Sequence, residues 1–282
     1  MKYALIMALV MSALIAACAT GPDQNIDVNY RQGYDGLELE LLPNYPPEEI
    51  LEGGTYTIAV QISNKGAYDT TRGEVSVFGL SKALNTLDRD VELLRVIKGR
   101  DINMPSGEFY IEEFKGKNNF ITADEYEAKF WVQAEYNYQT ILNADVCINP
   151  AMLKIEAEQG SCVVEEEMSF GGQGAPIAIT EVEELVSSEG DDTKAQFTLR
   201  IENKGDGDLI SPVIVDSVRI ANRRLDCERR EFKPELVEEG EALLVCTFVE
   251  PNRGPYSTVL SASLYYTYRT REMGEILIKK LR

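Results

Sequence analysis

The chain has 282 residues, of which 44% are hydrophobic, and its 47 acidic and 28 basic residues give a formal net charge of −19. A surface this acidic repels nucleic-acid phosphates and anionic lipid headgroups, so nucleic acid is not expected as a partner. The sequence contains no histidine. This excludes Ser-His-Asp and Cys-His catalysis and removes the usual ligand of catalytic zinc.

The N-terminus has the pattern of an export signal. Residues 4–17, ALIMALVMSALIAA, are uncharged and apolar, but a membrane span needs roughly 20 such residues. The sequence Ile15-Ala16-Ala17-Cys18 resembles a lipobox, which implies a signal peptide over 1–17 and a lipid attached to Cys18. Ala17-Cys18-Ala19 also fits a cleavage site that would release a secreted protein, and an uncleaved anchor is a third possibility. All three interpretations place the protein outside the cytoplasm, and the first and third hold it at the membrane.

Alternating apolar and polar residues dominate the rest of the chain and predict β-strands. Residues 18–35 come first; they are polar and without apolar periodicity, which predicts a flexible tether. Residues 81–97 favour either a short helix or a loop with a strand. The predicted strands lie at 37–42, within 56–70, at 74–80, 128–138 and 176–185, within 195–209, and at 213–220, 241–248 and 257–268.

Two parts of this pattern recur along the chain. A strand that ends in Asn-Lys-Gly occurs at 56–70 and at 195–209, and a strand with two alternate tyrosines occurs at 134–140 and at 264–270. The recurrence, in the same order, predicts two domains of one plan, each a β-sandwich of short strands. The predicted organisation is a first sandwich over 36–165, a glycine-rich linker over 166–175 and a second sandwich over 176–282.

The four cysteines beyond Cys18 fall into two local pairs. Cys147 and Cys162 are 15 residues apart, and Cys227 and Cys246 are 19 residues apart. Four cysteines allow three connectivities, and reduced buried thiols are a further alternative. The local pairing is favoured because each disulfide then lies within one predicted domain, in keeping with an exported protein.

The strand-and-turn segments VQISNKG (60–66) and LRIENKG (199–205) resemble the core strand of CARDB-type immunoglobulin-like sandwiches in prokaryotic surface proteins. The whole chain is similar to two-domain exported proteins of small-genome archaea. The segments that carry this similarity are 33–47, 143–150 and 171–183. The resemblance implies two tandem immunoglobulin-like domains at the cell surface, and it implies no catalytic residues and no cofactor.

Few residues stand out as a candidate site. Asp206 and Asp208 are the best candidates for calcium ligands, because calcium needs several oxygens at once and acidic loops at sandwich ends can supply them. The alternative is that these residues form solvated acidic turns, so no metal is assigned. The tyrosine pairs, Tyr136 with Tyr138 and Tyr266 with Tyr268, could stack on a ligand or could simply follow a half-buried strand.

These observations predict a non-catalytic, membrane-tethered, extracytoplasmic protein. Its expected role is adhesion, envelope structure or partner assembly, with an envelope protein or a surface glycan as partner and no cofactor. The alternative is a surface lipoprotein that binds a solute or glycan. The two roles differ structurally, since a ligand-binding protein needs a concave pocket of about 300 Å³ or more.

Overall fold

The computed structural model describes residues 30–119, 121–150, 162–251 and 254–281. The predicted signal peptide, Cys18 and most of the predicted tether therefore lie outside the described residues. The first half contains β1 (Leu37–Leu41), β2 (Glu49–Leu51), β3 (Thr55–Asn64), β4 (Gly73–Phe78), β5 (Asn85–Leu87), β6 (Val91–Leu93), β7 (Phe109–Asn118), β8 (Glu125–Ile148) and β9 (Glu167–Ser169). The second half contains β10 (Ile177–Glu189), β11 (Asp192–Asn203), β12 (Asp208–Leu209), β13 (Val213–Ile220), β14 (Arg223–Arg224), β15 (Asp226–Cys227), β16 (Glu231–Phe232), helix α1 (Pro234–Glu238), β17 (Ala242–Pro251) and β18 (Tyr256–Lys279).

The expected all-β fold is confirmed, and the strands form three sheets within the described residues. The first half has a four-stranded sheet, β1-β3-β7-β5, and a five-stranded sheet, β15-β17-β11-β10-β9, joins β9 to four strands of the second half. The largest sheet has nine strands, with β14-β13-β18-β8-β4-β6 in order and with β2, β12 and β16 alongside. It takes strands from both halves.

The nine-stranded sheet is built on one long strand pair. Strands β8 and β18 have 24 residues each and pair antiparallel over their full length, from Tyr256 opposite Ile148 to Lys279 opposite Glu125. Ordinary strands average about 5 or 6 residues. The length follows from the sequence, because in β8 every second side chain from Ala128 to Val146 is buried without interruption.

The two smaller sheets cover the same face of this strand pair, side by side. Strand β1 of the four-stranded sheet packs against β18, and β10 of the five-stranded sheet packs against β8. Buried residues of both halves form one continuous hydrophobic core. The two predicted sandwiches therefore share a sheet and a core. The alternation of apolar and polar residues predicted a sandwich in each half. It did not predict the pairing of β8 with β18, because these strands lie about 130 residues apart and a long-range pairing leaves no signal in the local sequence.

The predicted linker over 166–175 is folded against both halves. Residues 167–169 form β9, which pairs with β10. The Gln173 side-chain amide donates to the Ile179 carbonyl and accepts from the Ile179 amide, both at 3.0 Å. The Gly174 amide donates to the Gly33 carbonyl at 2.8 Å. This last bond also fixes the end of the predicted tether, so neither segment is free where the structure describes it.

Residues 81–97 form no helix. They contain β5 and β6, and Ile97 from the same stretch is fully buried in the core. The one helix in the described part of the chain is α1, which the strand pattern did not reveal. It begins at Pro234, whose fixed backbone angle suits the first helical turn, and it buries Val237.

Both cysteine pairs favoured by spacing are disulfides in the structure. Cys147–Cys162 ties the end of β8 to the segment before β9, and Cys227–Cys246 joins directly opposed residues of β15 and β17. Two disulfides indicate an oxidising, extracytoplasmic compartment. A separate observation concerns membranes: among the described residues, no helix has the length and apolar character needed to cross one.

Candidate binding surface

A buried cluster of four tyrosines marks the centre of the long strand pair. Tyr136 lies opposite Tyr268, and Tyr138 lies opposite Tyr266. The ring centroids of these cross-strand pairs are 6.1 and 6.4 Å apart in edge-to-face arrangements. Each ring is at most 4% exposed. The tyrosine pairs are therefore core residues, and the alternative that they form a ligand-stacking platform is wrong.

In the first half, the tyrosine cluster holds the Asn-Lys-Gly turn. The Tyr138 hydroxyl donates to Asn64 Oδ1 at 3.1 Å and accepts from the Tyr68 amide at 3.2 Å. Asn64 Oδ1 also accepts from the Gly66 amide at 3.1 Å. A side chain at position 66 would collide with the Tyr138 hydroxyl. The turn therefore needs glycine there, because the hydroxyl occupies the space of a Cβ atom.

The second half repeats these contacts. The Tyr268 hydroxyl donates to Asn203 Oδ1 at 3.0 Å and accepts from the Gly207 amide at 2.9 Å. Asn203 Oδ1 accepts from the Gly205 amide at 3.2 Å. The two sequence repeats are thus parts of one structural unit that occurs twice. An approximate two-fold axis relates the halves and passes through the strand pair near Asn137 and Thr267, which are paired residues.

Burial makes the hydroxyls of the cluster harder to ionise than ordinary tyrosines. It raises the pKa of Tyr268 to about 12 and holds the pKa values of Tyr136, Tyr138 and Tyr266 above the ordinary 10. The four hydroxyls, neutral at physiological pH like any tyrosine, therefore stay neutral into more alkaline solution. They serve as hydrogen-bond donors and acceptors in the core, which is a structural role.

The two candidate calcium ligands, Asp206 and Asp208, both lie at the surface. Asp208 is exposed, and its carboxylate lies 3.3 Å from the Arg271 guanidinium and 3.9 Å from that of Arg269. Asp206 is exposed as well. Within the described residues, no three or more His, Cys, Asp or Glu side chains come together as a metal-binding group. Asp208 is thus paired with arginine in this structure.

The face of the nine-stranded sheet opposite the core carries an exposed apolar row. Phe78, Trp131 and Met273 are register partners on β4, β8 and β18. We call these three residues the Trp131 row. The Phe78 and Trp131 rings stack with centroids 5.8 Å apart, and Phe78 and Met273 are 43% and 55% exposed. Trp131, between them, is half-buried, and the backbone at Gly79 lies close to its ring.

Polar pairs separate the Trp131 row from the centre of the sheet. Arg271 donates to Gln133 at 2.9 Å, and Arg269 binds Glu135 through Nε at 2.9 Å and through a terminal nitrogen at 2.7 Å. These cross-strand contacts fix side chains that would otherwise be mobile. The apolar row is therefore a bounded patch on a polar face.

A second feature of the same face is a trough at the two-fold axis, which we call the axial trough. It has a volume of about 430 Å³. Its floor is formed by the outward side chains of β8 and β18, and its walls are the loops before β4 and before β13. The lining side chains with exposed surface include Asp69, Thr71, Asn137, Gln139, Ile214 and Tyr265.

Neither feature is among the sequence predictions, although the sequence contains a signal for both. Trp131 and Tyr265 stand at the outward positions of strands whose inward positions are apolar. A large aromatic residue in the outward phase of an alternating strand marks an exposed aromatic surface. In β18 it is harder to tell from the sequence which side chains point outward, because Tyr265 and Tyr266 are adjacent.

Comparison with known proteins gives little guidance. No protein-family model and no curated protein matches the chain. Among solved structures, the chain is similar to the E. coli chaperone DraB, with 9% identity over 78% of this chain and 86% of that one and a TM-score of 0.21. It is also similar to the Salmonella enterica SafA pilin in complex with the SafB chaperone, with 10% identity over 79% of this chain and 83% of that one and a TM-score of 0.20. The similarity to the YadV chaperone has 8% identity over 84% of this chain and 99% of that one, with a TM-score of 0.20. Similarities this low support no argument, so the fold rests on the strand pairing described above.

Proposed function

We propose that the protein is a non-catalytic, extracytoplasmic binding protein that assembles with a protein partner of the cell envelope through the Trp131 row. The observation that carries this proposal is a row of three large apolar side chains on three adjacent strands, with Phe78 and Met273 exposed and Trp131 half-buried between them. Exposed apolar patches bounded by polar residues are typical of interaction sites. Aromatic residues and methionine are also enriched at the cores of protein interfaces.

The support of the row favours binding. Trp131 and Met273 lie on the paired strands β8 and β18, whose other faces are buried in the core. A surface on such a rigid sheet loses little conformational entropy when a partner covers it. A flat apolar patch on a sheet matches a protein surface better than a small solute.

Attachment to the membrane belongs to the same proposal. The disulfides support an extracytoplasmic location, and Cys18 would carry the lipid that tethers the folded part. Intact mass and membrane fractionation of the wild type and of Cys18→Ala test this point. A lipid-sized mass that is lost together with membrane association in Cys18→Ala supports the tether. An unmodified chain that begins at Thr20 in the medium contradicts it and indicates secretion.

Site-specific photocrosslinking tests the Trp131 row. A photoreactive phenylalanine analogue replaces Met273 in cells of the source organism, and the control position is Ile111 on the outer face of the four-stranded sheet. Ile111 is 45% exposed, close to the 55% of Met273. We expect one defined protein adduct from position 273 and none from position 111.

The purified partner then provides the quantitative measurement. Interface residues of this kind contribute at least about 2 kcal/mol when they are hot spots. Met273→Glu should therefore weaken binding by tenfold or more, whereas Ile111→Glu should leave it unchanged. Equal crosslinking from both positions, or binding that is insensitive to Met273→Glu, would refute the proposed surface.

A further inference from the structure

The axial trough combines an exposed ring with polar groups held in place. Tyr265 is 46% exposed, and its register neighbours are Ile214 on β13 and Gln139 on β8. Ile214 is 43% exposed. The floor therefore presents an aromatic face with an aliphatic side chain on one side and an amide on the other.

The polar groups around this ring are oriented by internal hydrogen bonds. Thr267 Oγ1 donates to Asn137 Oδ1 at 3.0 Å, so the Asn137 Nδ2 group remains as a donor. The Gly99 amide donates to Asp69 Oδ1 at 2.9 Å, which fixes that carboxylate at the rim and leaves Oδ2 as an acceptor. Groups fixed in this way lose little freedom when a ligand binds.

The composition of the trough limits the class of ligand. None of its lining residues, all of which lie in the described part of the chain, is basic. Asp69 adds a negative charge to a protein whose net charge is −19. Phosphorylated and carboxylated ligands are therefore disfavoured. A purely apolar ligand would bury the Asn137 amide and the Asp69 carboxylate without partners, which is also unfavourable.

A neutral sugar satisfies these conditions. A pyranose ring has an apolar C–H face and a rim of hydroxyl groups that both donate and accept hydrogen bonds. The C–H face can lie on an aromatic ring while amide and carboxylate groups bind the hydroxyls. The volume of about 430 Å³ falls within the range of about 300–1,000 Å³ that is usual for small-ligand sites.

We propose that the axial trough is a binding site for a neutral saccharide, with Tyr265 as the stacking platform and Asn137, Gln139 and Asp69 as the hydroxyl-binding groups. The site lies on the approximate two-fold axis and takes residues from both halves, since Asn137 and Gln139 belong to β8 and Tyr265 belongs to β18. The proposal is independent of the Trp131 row, which shares no residue with it.

The test is saturation-transfer NMR with a panel of neutral mono-, di- and trisaccharides of glucose, galactose, mannose and N-acetylglucosamine. Titration then gives the dissociation constant of each saccharide that binds. Tyr265→Ala should weaken binding tenfold or more, and Asn137→Ala should also weaken it. Tyr265→Phe keeps the ring and should retain most of the affinity. Ile111→Ala is the control, because Ile111 is 45% exposed, close to the 46% of Tyr265, and lies outside both the trough and the Trp131 row.

Two further measurements make the result of the titration decisive. Thermal melts of each variant show whether the fold is kept, and Asn137→Ala, at an exposed position, tests the site even where Tyr265→Ala fails to fold. The same saccharides immobilised on a surface distinguish a chain end on a cell-surface glycan from a free sugar. Binding that is lost in Tyr265→Ala and kept in Ile111→Ala supports the site. Failure of the whole panel to bind, or binding that survives Tyr265→Ala in a folded protein, overturns it.

Discussion

Glu184 gives the most quantitative prediction, because its carboxyl group lies inside the second sandwich. The side chain is 3% exposed and lies opposite Phe197 of β11. Within the described residues, neither carboxylate oxygen accepts a well-formed hydrogen bond. Burial raises the pKa of Glu184 from the ordinary 4.5 to about 7; the negative charge of Glu165 adds to this rise, and a backbone contact with Cys147 offsets only part of it.

The sign of the effect on stability follows from the raised pKa. Between pH 4.5 and 7 the folded protein binds a proton at Glu184 that the unfolded chain has lost, so the free energy of unfolding falls as the pH rises through this window. Each pKa unit corresponds to about 1.4 kcal/mol, so ionised Glu184 costs the folded state up to about 3 kcal/mol above pH 7. Below pH 4.5 the cost disappears, because the group is protonated in both states.

Urea unfolding of the wild type and of Glu184→Gln at pH 4, 5.5 and 8 measures this cost. Glutamine keeps the shape and cannot ionise, so the stability difference between variant and wild type should shift in favour of the variant by up to about 3 kcal/mol from pH 4 to pH 8. The control is Glu183→Gln, an exposed neighbour on the same strand, whose difference should stay constant within about 0.5 kcal/mol. A constant difference for Glu184→Gln would show that the carboxylate is hydrated, and the described packing of β10 would be wrong.

The other predictions concern the repeated unit and the disulfides. Tyr138→Phe leaves the buried Tyr68 backbone amide without its acceptor and should lower the free energy of unfolding by about 1–3 kcal/mol. Tyr268→Phe should cost less, because the partners of Tyr268 are partly exposed to water. Equal losses for the two variants in chemical denaturation would contradict this ranking. Gly66→Ala should cost about 1–3 kcal/mol through overpacking against the Tyr138 hydroxyl. Gly171→Ala is its control, because a Cβ there meets no atom within 4 Å, and a neutral Gly66→Ala would refute the close contact. Replacing both members of Cys227–Cys246 by serine should lower stability by about 3 kcal/mol, and an unchanged melting temperature would show that this disulfide does not constrain the chain.

Local pattern was enough to predict the strands and the strand-to-turn repeats. Alternation of side chains located β3 and β11, because one face of each strand is buried and the other is partly exposed. The Asn-Lys-Gly repeats were recognised because glycine and asparagine have distinctive backbone preferences. The favoured disulfide pairs agree with the structure for a similar reason, since each joins residues close in sequence.

The parts that sequence could not predict depend on long-range pairing. The partnership of β8 and β18 joins strands far apart in sequence, so no window of neighbouring residues reveals it. Residues 166–175 look like a linker by composition, yet Gln173 is buried because its amide fills a backbone pairing position beside Ile179. The axial trough likewise exists only because two loops of different halves flank the same strand pair.

The shared strand pair is the central claim, because both proposed surfaces take residues from β8 and from β18. Differential scanning calorimetry of the full chain, together with the core variant Phe114→Ala in the first half, tests it most directly. A single unit predicts one transition whose calorimetric and van't Hoff enthalpies agree, and Phe114→Ala should shift that whole transition to lower temperature. Two separable transitions, with Phe114→Ala lowering only one of them, would show two independent domains and would contradict the continuous β8–β18 pair.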